Sequence, residues 1–434
     1  MKKIVFGAFL SALLLLCGCG FSENTADPTG AGSSTSAFVE EPTPTPITEL
    51  TFPDGSVHMA DETSLDLSGL AHADVAKTAE LLKQMPNLET LELGSDGAWT
   101  GTPPELTAAT ACVERPEAAT RDLSWADLRA LQEAAPSAEL IYRFCFYGRE
   151  FTTLDEEMDL NHSTMTDEGA AVKEILPLMK HCKYLDMDSC GVSSESMAEI
   201  RDAYPEMEVV WRIWFGKNNY TLRTDAERIL HSEFKAYMTD DETQDLKYCT
   251  KVRFLDMGHN RDLHDWSFLS GMTDLEVCII TDSGWTTLDM LAPCTKLEYL
   301  EVCPISHEYC GLLDLSPLGN LVNLEHLNIC GISETTGWEA LMNLTKLKRL
   351  WIGHWTAYGL PEGAVEQLRA ALPDTEINTT EKAAAVGSWK GDWGTDGVIP
   401  ERYLLVREQF DYDNYDNVFP WPRNDPKYNP PWYR

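Results

Sequence analysis

The sequence predicts an α/β solenoid, with short parallel strands forming a sheet on a concave face and helices or irregular turns on the convex face. Three observations predict it. A strand-sized pattern, leucine-x-x-leucine-x-leucine, recurs along most of the chain; successive later copies are separated by 22 to 27 residues; and the same columns are apolar in every copy. The clearest copies are NLETLELG from Asn87, KVRFLDMG from Lys251, DLEVCIIT from Asp274, KLEYLEVC from Lys296, NLEHLNIC from Asn323 and KLKRLWIG from Lys346. HCKYLDMD from His181 joins them with a cysteine in the first leucine slot.

The second leucine-type position falls at Leu255, Cys278, Leu300, Leu327 and Leu350, in steps of 23, 22, 27 and 23 residues. Steps of that size with this strand pattern are those of leucine-rich repeats, which run roughly 20 to 29 residues. The first half carries a longer, helix-containing form. LSWADLRALQEAAPSAELIYRF from Leu123 aligns with VSSESMAEIRDAYPEMEVVWRI from Val192, each a helical pattern stopped by a proline (Pro136, Pro205) before a strand. LDLSGL at Leu65 likewise matches MDLNHS at Met158. FYGREF and FGKNNY read as hairpins, since a glycine-containing turn lies between apolar runs. The solenoid is expected over residues 48–380, with an Ala/Thr/Pro-rich loop insertion at 95–120.

On these motifs the chain resembles bacterial leucine-rich-repeat surface lipoproteins, and the later repeats, with DLSPLGNLVNLEHLNI from Asp314, are similar to the internalin type. The resemblance implies a non-catalytic binding protein that meets a protein or peptide on its concave face. The chain departs from the pattern in its uneven repeat lengths. The asparagine expected after each strand is Asn260 in one copy but Cys190, Ser283 or Ile332 in others.

The two ends differ from the repeats. MKKIVFGAFLSALLLLCGCG opens with two lysines, continues with a short apolar run and exits through small residues, as a secretory leader does. Leu16-Cys17-Gly18-Cys19 resembles the bacterial lipobox. That resemblance implies removal of residues 1–18, a lipid on Cys19 and a location on the extracellular side of the cell membrane. Residues 19–47, rich in Ser, Thr, Pro and Gly, read as a disordered tether that holds the folded part about 30 Å from the lipid. Residues 381–434 are rich in aromatics and proline, as in VFPWPRNDPKYNPPWYR, and contain Trp389, Trp393, Trp421 and Trp432. They read as a cap over the last repeat or as a glycan- or peptide-binding platform.

The net charge of −36 disfavours nucleic acid and anionic lipid head groups, so the membrane is expected to be met only through the lipid anchor. It fits either a cationic partner or simply a solvated, soluble surface.

Of ten cysteines beyond Cys19, five fall into packing columns. Cys249 and Cys294 share a column with Met85, Met179, Met272, Leu321 and Leu344; Cys182 and Cys278 fill leucine slots; Cys190 fills the asparagine slot. Cys303 and Cys330 hold equivalent places in neighbouring strands, close enough for a bridge or a metal pair; the plainer alternative is two unpaired thiols.

No motif of catalysis is present: there is no GxSxG, HExxH, CxxC or phosphate-binding glycine loop. HNRDLHD places His259, Asp262, His264 and Asp265 together in a loop, a weak metal-ligand pattern. DYDNYDN from Asp411 lacks the glycine of a calcium loop, with Asp416 in its place. No cofactor or metal is expected. Binding residues are sought on the strands instead. With the leucines inward, the positions on either side of the second leucine point outward. They are Thr90, Tyr184, Phe254, Val277, Tyr299, His326 and Arg349 on one side, and Glu92, Asp186, Asp256, Ile279, Glu301, Asn328 and Trp351 on the other. The partner-binding candidates are Tyr184, Asp186, Phe254, Asp256, Tyr299, Glu301, His326, Asn328, Arg349 and Trp351. In this pattern aromatics supply contact area and acids hold cationic groups of a partner.

Overall fold

The computed structural model describes residues 48–95, 123–216, 220–231, 238–303, 312–332, 334–352, 359–379 and 401–409. All belong to one compact unit, Thr48–Arg434. The leader, Cys19 and the tether lie outside the described residues, as do positions 96–120 of the insertion, DYDNYDN and the four tail tryptophans.

The described chain is a leucine-rich-repeat solenoid of α/β class. A short antiparallel pair, β1 (Glu49–Thr51) and β2 (Val57–Met59), precedes the repeats. The repeat strands form three successive sheets. The first contains β3 (Ser64–Asp66), β4 (Thr90–Ser95), β5 (Glu139–Phe146) and β6 (Arg149–Thr152). The second contains β7 (Glu157–Asp159), β8 (Tyr184–Asp186) and β9 (Glu208–Val210). After the hairpin β10 (Arg212–Phe215) and β11 (Tyr220–Arg223) comes a seven-stranded sheet. Its strands, in order, are β12 (Arg228–Leu230), β13 (Phe254–Asp256), β14 (Val277–Ile279), β15 (Tyr299–Glu301), β17 (His326–Asn328), β19 (Arg349–Trp351) and β20 (Glu376–Asn378). β16 (Leu312–Asp314) and β18 (Glu334–Thr336) pair separately.

Each parallel pair in the large sheet aligns one second-leucine position with the next: Leu255 with Cys278, Cys278 with Leu300, Leu300 with Leu327 and Leu327 with Leu350. The sequence implies a single sheet, and the structure divides it. The cause is the two hairpins, β5–β6 and β10–β11, whose antiparallel arms take up the hydrogen-bonding edge that the next repeat strand would use. In the first, Tyr147 (φ 49°) and Gly148 (φ 74°) make the turn, both left-handed as a two-residue hairpin requires.

The returns between strands shorten along the chain. Helices α1 (Val75–Leu82), α2 (Trp125–Ala134), α3 (Ala170–Ile175) and α4 (Ser194–Ala203) serve the early repeats. Ser124 and Ser193 cap α2 and α4, accepting from the Asp127 and Ser196 amides. Both helices stop ahead of the prolines at 136 and 205. The later repeats have room only for 3-10 turns, such as Ser267–Gly271 and Ser316–Asn320, before α5 (Ala364–Ala371) precedes β20.

The core lies between strands and returns. Met85, Met179, Cys249, Met272, Cys294, Leu321 and Leu344 are all buried there, with Cys278 in its leucine slot. Cys182 is half-buried beside them. The asparagine slot works as a hydrogen-bonding ladder. Asn260 is fully buried, donates to the Met257 carbonyl at 2.8 Å and accepts from the Met238 amide at 3.1 Å. Cys190 replaces it by donating its thiol to the Leu160 carbonyl at 3.0 Å, while Ser283 donates to the Thr281 carbonyl at 3.3 Å. Ile332 fills its copy with hydrocarbon alone. Burial raises the thiol pKa of Cys190, Cys249 and Cys278, and lifts that of Cys294 to about 12. These cysteines are packing groups in the neutral form, not nucleophiles.

Candidate binding face

The structure places the expected outward residues in two very different settings. On β3 and β7, Ser64, Asp66, Glu157 and Asp159 are exposed, and on β4 Thr90 and Glu92 are half-buried. On the large sheet the outward side is closed. Phe254 and Asp256 are 0% exposed, Tyr299 0%, Glu301, His326 and Asn328 2% each, and Trp351 6%. Val277 and Ile279 are equally buried, and Arg349 remains half-buried. The expectation that these side chains face solvent is therefore corrected: β13, β14, β15 and β17 are buried on both faces.

A closed face must satisfy its polar groups internally. Tyr299 donates its hydroxyl to Glu301, whose other carboxylate oxygen accepts from the Thr281 hydroxyl at 3.4 Å. The Asn328 side-chain oxygen accepts from the Cys303 thiol at 3.3 Å and the Cys330 amide at 3.1 Å. Asp256 accepts from the Gly258 amide at 3.3 Å. Cys303 and Cys330 are not bridged to each other, and they pack with Trp351 in a small cluster separate from the main core. The His326 ring lies between Tyr299 and Trp351, at 6.0 and 6.4 Å between centroids. Neither His326 ring nitrogen has a hydrogen-bond partner. Burial lowers its pKa to about 4 against the opposing charge of Glu325.

Tyr184 and Asp186 belong to a different arrangement. β10 and β11 project two arginines back toward β8. Arg212 makes a two-pronged bond to Asp188, Nε to Oδ1 at 2.8 Å and Nη2 to Oδ2 at 2.7 Å. Arg223 donates to Asp186 at 2.9 Å, to the Tyr184 hydroxyl at 2.9 Å and to Asp225 through Nε at 3.0 Å and Nη2 at 2.8 Å. Both arginine side chains are within 2% of complete burial. Burial pushes the Asp188 carboxyl up, but the Arg212 contact outweighs it and holds the pKa below the ordinary value. Burial and the Asp186 charge raise Tyr184 to about 12. These paired charges, two arginines among three aspartates, join the second hairpin to the second sheet.

A residue column that sequence reasoning passed over lies one position before the outward stripe. It reads Arg253, Glu276, Glu298, Glu325 and Lys348 at the starts of β13, β14, β15, β17 and β19. Arg253 pairs with Glu276 at 2.7 Å and Lys348 with Glu325 at 2.9 Å. A third cation reaches this column from α6 (Glu401–Gln409). Arg402 donates from Nη2 to Glu276 at 2.6 Å, and its Nε forms an ion pair with Glu298 that lacks a hydrogen bond's alignment. The signal was available: three glutamates stand in the same column of consecutive repeats.

The HNRDLHD loop is engaged in structural contacts. His259 pairs with Asp282 at 3.0 Å, and the His264 and Asp265 amides donate to Asp240 at 2.7 and 2.8 Å. Among the described residues no three His, Cys, Asp or Glu side chains are grouped to hold a metal ion. No described helix is long and apolar enough to cross a membrane. A cleft of ≈ 320 Å³ opens beside β9, with Arg201, Asp225, Tyr248 and Lys251 in its wall. There Arg201 stacks over Trp211 and Tyr248, at 5.3 and 5.8 Å.

No family model matches the sequence, and neither does any curated protein. Among solved structures the chain is similar to an internalin, inlF, of Listeria monocytogenes: 14% identity, 75% of this chain and 85% of that one covered, TM-score 0.30. It is also similar to a leucine-rich-repeat protein of Leptospira interrogans, at 13% identity over 69% and 74% of the two chains, with a TM-score of 0.29. Internalin C2 of Listeria monocytogenes matches at 13% identity over 60% and 86%, with a TM-score of 0.26. The repeat architecture itself rests on the strand register and the buried columns of this chain.

Proposed function

We propose that this chain is a non-catalytic binding protein, held by a lipid on Cys19 at the extracellular side of a bacterial membrane. In this reading it takes a protein or peptide partner on the outward face of its seven-stranded sheet, in exchange for the polypeptide that buries that face in the free chain. One observation carries the reading. Val277, Ile279, Tyr299, His326 and Trp351 form a contiguous apolar and aromatic surface on adjacent strands, and it is as dry as the core. A sheet face of this composition is stable when covered by polypeptide and unstable against water. The open outward positions of β3 and β7 lack that character.

The experiment is a selection of peptides from a random library on the full mature chain, followed by amide hydrogen-exchange mapping of each complex. The reading expects enriched peptides, with new protection on β13 to β19. No enrichment, or protection confined to β3–β9, overturns it. Retention of the native chain in the membrane fraction, and its release by Cys19→Ala, tests the anchor separately.

A further inference from the structure

Glu276, Glu298 and Glu325 stand side by side at the starts of β14, β15 and β17. Neighbouring strands are about 4.8 Å apart, so three carboxylates in a row repel one another unless cations intervene. Arg253 and Lys348 serve the two ends. Among the described residues, the cation that reaches Glu298, in the middle, is Arg402, from a helix beyond the last repeat strand.

The seating of α6 is polar at both ends. At one end Arg402, 14% exposed, spans Glu276 and Glu298. At the other, the Gln409 side-chain oxygen accepts from Arg253 at 2.6 and 3.2 Å in the orientation its amide takes when hydrogen bonding is satisfied. A helix rises about 1.5 Å per residue, so these two side chains are separated by about 10 Å. That matches two strand spacings, from β15 to β13. Between them, Leu404 and Leu405 are 46% and 53% exposed, so α6 is not anchored by buried leucines. Among the described side chains of α6, the contacts to the sheet are therefore those of Arg402 and Gln409, which another arginine-bearing segment could reproduce.

A second, independent feature adjoins it. His326 follows Glu325 directly, is 2% exposed, and carries two ring nitrogens without partners. Arg402, Lys348 and Arg349 all act on it electrostatically. The imidazole is thus a buried donor–acceptor pair whose hydrogen-bonding capacity is unused, next in sequence to the carboxylate row.

We propose that Glu276 and Glu298 form a recognition site for an arginine presented by a helical segment, occupied in cis by Arg402 and open in trans to an arginine-bearing polypeptide. The inference rests on the binding reading above and names the partner's chemistry. Arginine fits because its wide planar guanidinium donates an N–H group to Glu276 on one strand while its delocalised charge also lies against Glu298 on the next, a span that a compact lysine ammonium covers less well.

The test uses the full mature chain and a fluorescent, end-capped peptide of residues 401–409, followed by anisotropy. With Arg402→Ala the cis competitor is gone, and the peptide should bind at least about tenfold more tightly than to the unaltered chain. Adding Glu276→Gln and Glu298→Gln to that variant, or placing glutamine at position 402 of the peptide, should each cost tenfold or more. Circular dichroism establishes that every variant is folded. Equal affinity for the unaltered and Arg402→Ala chains overturns the proposal, as does no binding up to about 1 mM. Library peptides that still protect β13–β19 in that case would leave the binding reading intact and remove only the arginine assignment.

Discussion

The second and third sheets use the same repeat and treat the outward residue in opposite ways. On β7 and β8 the outward acids either meet water, as Glu157 and Asp159 do, or are neutralised by buried arginines, as Asp186 is by Arg223. On β13 to β19 hydrocarbon and aromatic side chains alternate with buried polar ones; Tyr299 bonds to Glu301 and Cys303 to Asn328, while the His326 ring is buried without a hydrogen-bond partner. Strand alternation decides which side a residue points to; the composition of that side decides whether it tolerates water. Identical backbone geometry therefore yields a solvated surface in one region and a contact surface in the next.

The sharpest way to break this contrast is at the arginine network. Arg212→Ala leaves Asp188 buried without its two-pronged partner, and should destabilise the chain by about 3–5 kcal/mol in denaturant unfolding. A similar truncation on an open strand, Glu157→Ala, should cost about 0.5 kcal/mol or less.

Acid should separate the regions next. His326 binds its proton with a pKa of about 4 in the folded chain, against about 6.5 unfolded. The unfolded state therefore holds more protons between those values, and stability falls as pH drops from 6.5 toward 4. The loss from this group reaches about 3 kcal/mol, and His326→Gln should flatten that part of the stability–pH curve. Glu325, Lys348, Arg349 and Arg402 surround the ring and should be left unchanged in the comparison.

Thiol reactivity offers a gentler discrimination. Cys145, half-buried on β5 of the first sheet, should be alkylated in the folded chain at least about tenfold faster than Cys303 or Cys330. Similar rates would mean that the outward side of the large sheet opens freely.

Much of the architecture was legible in the residues. The spacing of Leu255, Cys278, Leu300, Leu327 and Leu350 dictates the register, because one leucine column can face the core only if the strands align. The roles of Cys249, Cys278 and Cys294 followed from the same columns. Both hairpins could be read from their glycine turns, but not their consequence, the division into three sheets; that depends on which strand edge each arm occupies. Burial of Tyr299, Glu301 and Trp351 was hidden for another reason. Alternation assigns a side but carries no information on what covers it. The apolar run Phe254, Val277, Ile279 and Trp351 was the available hint. The Arg212–Asp188 pair joins residues from different repeats with no shared motif, and only the fold brings them together.

The central claim is that the large sheet's outward face is shielded from water like a contact surface. Hydroxyl-radical footprinting of the full mature chain tests it most directly, because it reads side-chain exposure residue by residue. The account predicts that Tyr299, His326 and Trp351 are oxidised at least about tenfold more slowly than Trp214, which is 40% exposed on β10. Oxidation of Tyr299 and Trp351 at the rate of Trp214 would show an open, wetted face and contradict it.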